Sequence, residues 1–104
     1  MDTLKRLEAT IAERMNASPD ASYVAKLNAK GLSKMAQKLG EESTETVIAA
    51  VSGSSEELVS ESADLLFHLL VLLQAKGVGL DDVCAELSAR EGLSGLDEKA
   101  SRTE

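Results

Sequence analysis

Apolar positions recur at three- and four-residue spacing along most of the chain, and no stretch alternates long enough to make a strand, so the pattern predicts an all-α fold. Leu4, Leu7, Ile11 and Met15 mark a first helix from about Leu4 to Met15, followed by a connection holding the only proline, Pro19. A second helix is expected from about Tyr23 to Lys30, stopped by Gly31 as a left-handed C-terminal cap. Ser33 is then placed to cap a long third helix reaching about Val51. After the turn-like Ser52-Gly53-Ser54-Ser55, Ser54 and Glu57 have capping-box spacing, so a fourth helix starts there and runs to about Lys76, with Gly77 ending it. Gly79 to Asp82 introduces a shorter fifth helix through about Arg90, and the Gly-, Ser- and charge-rich stretch from Glu91 to Glu104 reads as a tail that is partly disordered in isolation.

The fourth helix stands out. From Ala63 to Leu73 it is apolar nearly all the way round, which predicts a largely buried helix, and only Asp64 and His68 are polar there. With Glu61 they fall within an arc of roughly 60°. A carboxylate in such surroundings costs several kcal/mol unless paired or coordinated, and an Asp64–His68 pair one turn apart would satisfy both groups. The third helix adds more negative charge than one histidine neutralises: Glu41-Glu42-x-x-Glu45 precedes the turn and Glu61-x-x-Asp64 follows it. An acidic helix face is by default simply solvated. If the two helices fold back on each other, however, Glu42, Glu45, Glu61 and Asp64 converge, and a hard divalent cation is the usual way to keep such a cluster charged.

Lys26, Lys30, Lys34 and Lys38 are spaced by four just before the acidic stretch. Gly31 divides them into two pairs. Lys26 and Lys30 read as solvated charges, whereas Lys34 and Lys38 share the Glu42 side of the third helix, where ammonium groups beside a cation would cradle phosphates. No Gly-rich phosphate loop is present, so any nucleotide chemistry here is metal-led.

Composition narrows the partners. The chain has 104 residues, enough for one domain. A net charge of -7 argues against nucleic acid and against an anionic membrane surface. With 43% hydrophobic residues but no Trp and a single Phe and Tyr, the core must be aliphatic. Cys84 has no partner for a disulfide and no relay for a thiol nucleophile, so it reads as a small buried hydrophobe. The start of the chain has no signal-peptide pattern, so a cytoplasmic protein is expected, and the most apolar run, Leu65 to Leu73, falls short of the about 20 residues a membrane span needs.

The acidic arrangement Glu42-x-x-Glu45, spacer, Glu61-x-x-Asp64 resembles the signature of the MazG-type all-α nucleoside triphosphate pyrophosphatases, helical bundles of four to five antiparallel helices. Residues Ser22 to Leu27, Lys30-Gly31, Lys34, Lys38 to Glu42, Asp64 to Leu73 and Glu98 to Arg102 are more narrowly similar to the phosphoribosyl-ATP pyrophosphatases of histidine biosynthesis, over most of the chain. That resemblance implies Mg²⁺-dependent hydrolysis of phosphoribosyl-ATP to phosphoribosyl-AMP and pyrophosphate. It further implies metal ligands Glu42, Glu45, Glu61 and Asp64, triphosphate contacts Lys30, Lys34 and Lys38, and a homodimer. Glu41 or one carboxylate of the cluster is left to orient or deprotonate the attacking water. The sequence departs from the family at Gly79, where a Thr or Ser cap is common.

Two other readings stay open at this level. One is a house-cleaning pyrophosphatase of the same fold acting on ordinary or damaged nucleotides. The other is a non-catalytic helical dimerisation module with a vestigial acidic face. The fifth helix and the apolar residues of the first are the expected subunit interface.

Overall fold

A computed structural model describes residues 2–92; the expected tail beyond them, with the Glu98 to Arg102 segment, lies outside the described residues. Five helices follow in order: α1 (Asp2–Arg14), α2 (Tyr23–Lys30), α3 (Leu32–Ser52), α4 (Ser55–Ala75) and α5 (Leu80–Ala89), and no strand occurs among the described residues. α3 and α4 form the long antiparallel hairpin, α1 lies on α4, and α2 bridges α3 and α1. The amide of Asn28 donates to the Met15 carbonyl at 2.9 Å, tying α2 to the end of α1.

The stripe predicted on α1 is the one that packs. Ile11 and Met15 enter a core with Val24, Leu27, Met35, Leu70, Val71 and Leu80, and Leu4, Leu7 and Cys84 pack against it. The apolar face of α1 is therefore consumed inside the chain, which corrects its assignment to a subunit interface. α4 corrects a second expectation: only His68, Leu70 and Val71 are buried on it, while Val59 is 71% exposed and Leu66 43%. Apolarity made α4 the hub helix, but α3 on one side and the shorter α1 on another do not wrap a 21-residue rod. By length and composition α4 also qualifies as a membrane-crossing helix. Its place between α1 and α3 and its Glu56, Glu57, Glu61 and Asp64 account for the same composition within a bundle.

Helix ends follow the local chemistry. Ser54 and Glu57 form the expected reciprocal cap, with Glu57 N–H donating to Ser54 Oγ at 3.1 Å and Ser54 N–H to Glu57 Oε1 at 2.9 Å. Ser33 does not cap α3. Gly31 takes φ 97° and ψ 171°, a backbone open to glycine, and its carbonyl already accepts from Met35 N–H at 3.2 Å, so α3 starts at Leu32 and Ser33 falls inside its first turn. Gly31 also ends α2 as expected, its N–H donating to the Leu27 and Asn28 carbonyls at 3.2 Å each and its φ positive, but its ψ is extended and not that of a left-handed helical cap. At the start of α5, Gly79 offers no side chain, and two carboxylates do the work: Asp82 Oδ2 accepts from Gly79 N–H at 3.1 Å, and Glu8 Oε2 of α1 accepts from Leu80 N–H at 2.7 Å.

Candidate functional site

The hairpin sets the register of the acidic residues. Thr46 Oγ1 lies 3.2 Å from the Glu61 carbonyl, which puts the middle of α3 level with the first third of α4. In that register, single ligand oxygens of Glu42, Glu61 and Asp64 all come within 4.8 Å of one another. Glu45 is not in that trio. It lines a neighbouring cleft of about 190 Å³ together with Glu57 and Glu61, floored by Ile48 and Ala49 and closed at the hairpin turn by Gly53. A Cβ on Gly53 would stand 3.0 Å from the Ala49 carbonyl oxygen, so this turn accepts nothing larger without moving backbone. Glu61 belongs to both groupings and sits between them.

Electrostatics single out the same residue. Partial desolvation first, then Glu45, Glu42, Asp64 and Glu57, raise the Glu61 carboxyl above its ordinary pKa. Glu42 and Glu61 are half-buried, whereas Asp64 is exposed, so Asp64 is not the carboxylate sunk in apolar side chains that the sequence suggested. The Asp64–His68 side-chain pair does not form either. His68 Nδ1 lies 2.8 Å from the backbone carbonyl of Asp64, and its Nε2 lies 2.9 Å from the Tyr23 hydroxyl. The Asp64 carboxylate is left free to face Glu42 and Glu61. Hard oxygen donors, partial solvent access and mutual repulsion at Glu61 suit a hard divalent cation such as Mg²⁺.

The basic residues divide as their spacing suggested. Lys38 Nζ lies 3.3 Å from Glu41 Oε1 and 3.8 Å from Glu42 Oε2, directly beside the trio. Glu41 and then the nearby Tyr23 oxygen hold its pKa above the ordinary lysine value. Lys34 is half-buried one turn earlier and adds to the positive field at Glu41; Lys30 is exposed at the end of α2. Glu41 itself points to the outer side. Gln37 donates to it at 2.8 Å and, with Lys38 after it, depresses its pKa, which makes Glu41 a weaker base than an ordinary glutamate. Thr46, Tyr23 and Gln37 escaped the sequence reading, because a neutral side chain advertises no chemistry until its neighbours are known.

The chain matches the family model described as phosphoribosyl-ATP pyrophosphohydrolase over residues 4–91. It belongs to this family. Among its relatives, the phosphoribosyl-ATP pyrophosphatase of Erythrobacter litoralis is 76% identical over 102 residues, covering 98% of each chain. Those of Novosphingobium aromaticivorans and Dinoroseobacter shibae are 67% and 58% identical over the same length, covering 98% of this chain and 95% and 100% of theirs. Membership in a phosphoribosyl-ATP pyrophosphohydrolase family supports the enzyme reading over the house-cleaning and adaptor readings that the acidic pattern left open. The 4–91 match takes in every residue of the acidic trio, Glu45 and all four lysines.

Proposed function

We propose that this protein hydrolyses the α–β phosphoanhydride of 1-(5-phosphoribosyl)-ATP to 1-(5-phosphoribosyl)-AMP and pyrophosphate, the second step of histidine biosynthesis, in the cytoplasm and with Mg²⁺. Three carboxylates gathered within 4.8 Å beside Lys38, in a member of the phosphoribosyl-ATP pyrophosphohydrolase family, carry this reading. Glu42, Glu61 and Asp64 are the residues that would hold the cation, with Glu45 next in line across Glu61. A bound Mg²⁺ supplies charge neutralisation on the phosphates and a Lewis acid for the leaving group.

The chain's own residues do the rest. Lys38 leaves its contacts with Glu41 and Glu42 to meet a phosphate oxygen, a charge-assisted bond stronger than the exposed pairs it replaces. Lys34 and Lys30 extend the same positive track toward the terminal phosphates. Water attacks the α-phosphorus, the bond from that phosphorus to the bridging oxygen breaks, and pyrophosphate departs with the electron pair. Among the candidate bases, a carboxylate of the cluster orients this water better than Glu41, which is exposed outside the trio and keeps its bond from Gln37 after Lys38 has moved.

A homodimer completes the proposal. Val47, Ile48 and Val51 of α3, with Val59 of α4, are all more than half exposed around the hairpin tip. This apolar surface adjoins the acidic cleft, so a second copy covering it would also wall the site.

The direct test is a Mg²⁺-dependent assay of phosphoribosyl-ATP that identifies the first phosphorus product. Pyrophosphate is expected, and Asp64→Asn should lower turnover by roughly 10²-fold or more while the protein stays folded. Orthophosphate as the first product, or equal turnover of a panel of free nucleoside triphosphates, would defeat the assignment.

A further inference from the structure

The helix backbone beneath the three converging carboxylates is gripped by uncharged side chains. The single hydroxyl hydrogen of Thr46 is shared between two carbonyls, Glu42 at 2.8 Å and, more weakly, Glu61 of the facing helix at 3.2 Å. On α4, the Asp64 carbonyl sits 2.8 Å from His68 Nδ1. A carbonyl oxygen only accepts, so Nδ1 carries the hydrogen, and the lone pair on Nε2 receives the Tyr23 hydroxyl at 2.9 Å. Glu42, Glu61 and Asp64 thus each have a main-chain carbonyl engaged by a side chain.

A threonine or histidine bonding back to the carbonyl four residues earlier is ordinary on a helix. What is not ordinary is that both back-bonds continue into another helix. Thr46 joins α3 to α4 at the level of the trio, and Tyr23, 45 residues from His68 in sequence, joins the first residue of α2 to α4. The imidazole is 7% exposed and is met edge-on by Phe67 at 5.2 Å and Tyr23 at 5.7 Å, so its rotamer is fixed by packing as well as by its two bonds.

Three carboxylates repel, and a two-helix hairpin can relieve that repulsion by sliding or splaying. Neutral bonds anchored on the backbone of the same turns oppose both movements without adding charge. We infer that Thr46 and the Tyr23–His68 pair are positioning residues for the cation: Thr46 fixes the separation of the Glu42 and Glu61 turns, and Tyr23 through His68 fixes the turn of Asp64. This rests on the cation reading of the trio given above. The donors are hydroxyl and imidazole, so the site is gathered before the ion arrives.

The test compares Mn²⁺ binding to substrate-free protein, read by electron paramagnetic resonance, in wild type, Thr46→Val, Thr46→Ser, Tyr23→Phe and Glu61→Gln, with melting temperatures measured in chelator. Partners that orient metal ligands typically account for about 10–100-fold in affinity. Thr46→Val and Tyr23→Phe should therefore weaken Mn²⁺ binding by roughly 10-fold, Thr46→Ser should restore it to within about 3-fold of wild type, and Glu61→Gln should abolish it. Apparent Mg²⁺ requirement should rise in parallel, with turnover recovering at saturating metal. If Glu61→Gln abolishes Mn²⁺ binding while Thr46→Val and Tyr23→Phe leave it unchanged and only lower the melting temperature, the positioning role is refuted and the cation site stands. If Glu61→Gln leaves Mn²⁺ binding intact, the cation reading fails and takes the inference with it.

Discussion

Where α4 meets α1, Leu70 and Val71 are sealed in a core with Ile11 and Leu80; about three turns earlier on the same helix, Glu61 meets Glu42 and Asp64 across a seam of charge, and Val59 stands 71% exposed. One end of the hairpin supplies stability and the other is left unsatisfied. Among the described residues of α3, only Met35 and Ala49 are buried. The open end is where the proposed function puts a cation and a second copy, and it is from such low-stability ends that binding surfaces are drawn.

The sharpest way to break this division is to damage each end separately. Ile11→Ala at the packed end should cost about 2–5 kcal/mol, a large part of the stability of a small domain. Chemical denaturation should show a lower midpoint with the same slope, and an unchanged midpoint would mean the core is not where the fold is held. At the open end, Ile48→Ser with Val51→Ser should leave monomer stability near wild type and weaken self-association by roughly 10²-fold, as expected for losing two buried aliphatic side chains. Sedimentation across a dilution series measures it; a dimer as tight as wild type would move the interface elsewhere on the chain. The turn between the two ends should show a smaller effect, with Ser54→Ala costing about 1 kcal/mol through loss of the reciprocal cap.

The smallest effect is one of pH. Glu61 is raised above its ordinary value of 4.5, so the folded state holds its proton longer than the unfolded state does. Its stabilising contribution is complete below about pH 4.5 and is lost as pH rises through the folded value. Glu41 and Glu57, with lowered values, contribute in the opposite sense, losing stability as pH falls through their folded values. In chelator, Glu61→Gln should therefore melt higher than wild type at neutral pH, and the gap should close toward about pH 4.5. A constant gap across that range would show that the open end carries no pent-up repulsion.

Much of this division could be read from the chain and some could not. The spacing of Leu4, Leu7, Ile11 and Met15 located the packed face of α1, and the Ser54–Glu57 box located the start of α4, because both depend on residues within a turn or two. Ser33 misled because Gly31 can supply a helix start from its backbone alone. The apolar run of α4 gave its role as hub but not its burial, since burial depends on how many neighbours arrive. Acid spacing brought Glu42, Glu61 and Asp64 to facing surfaces; it did not set Glu45 apart, because that depends on the register in which Thr46 meets Glu61. The Tyr23–His68 bond spans 45 residues between unlike side chains and leaves no local trace.

Glu8 gives the start of the molecule a hold on its far side. Its Oε2 takes the first free amide of α5 at 2.7 Å, and Lys5, 3.3 Å from Glu8 Oε1, also reaches Asp81 at 3.1 Å. α5 has no serine or threonine of its own at that position, so its opening turn is held jointly by its own Asp82 and by the first two turns of α1. Trimming or tagging that shifts α1 would thus be felt more than seventy residues away, and a lesion mapped near Leu80 has its cause to be sought near Glu8.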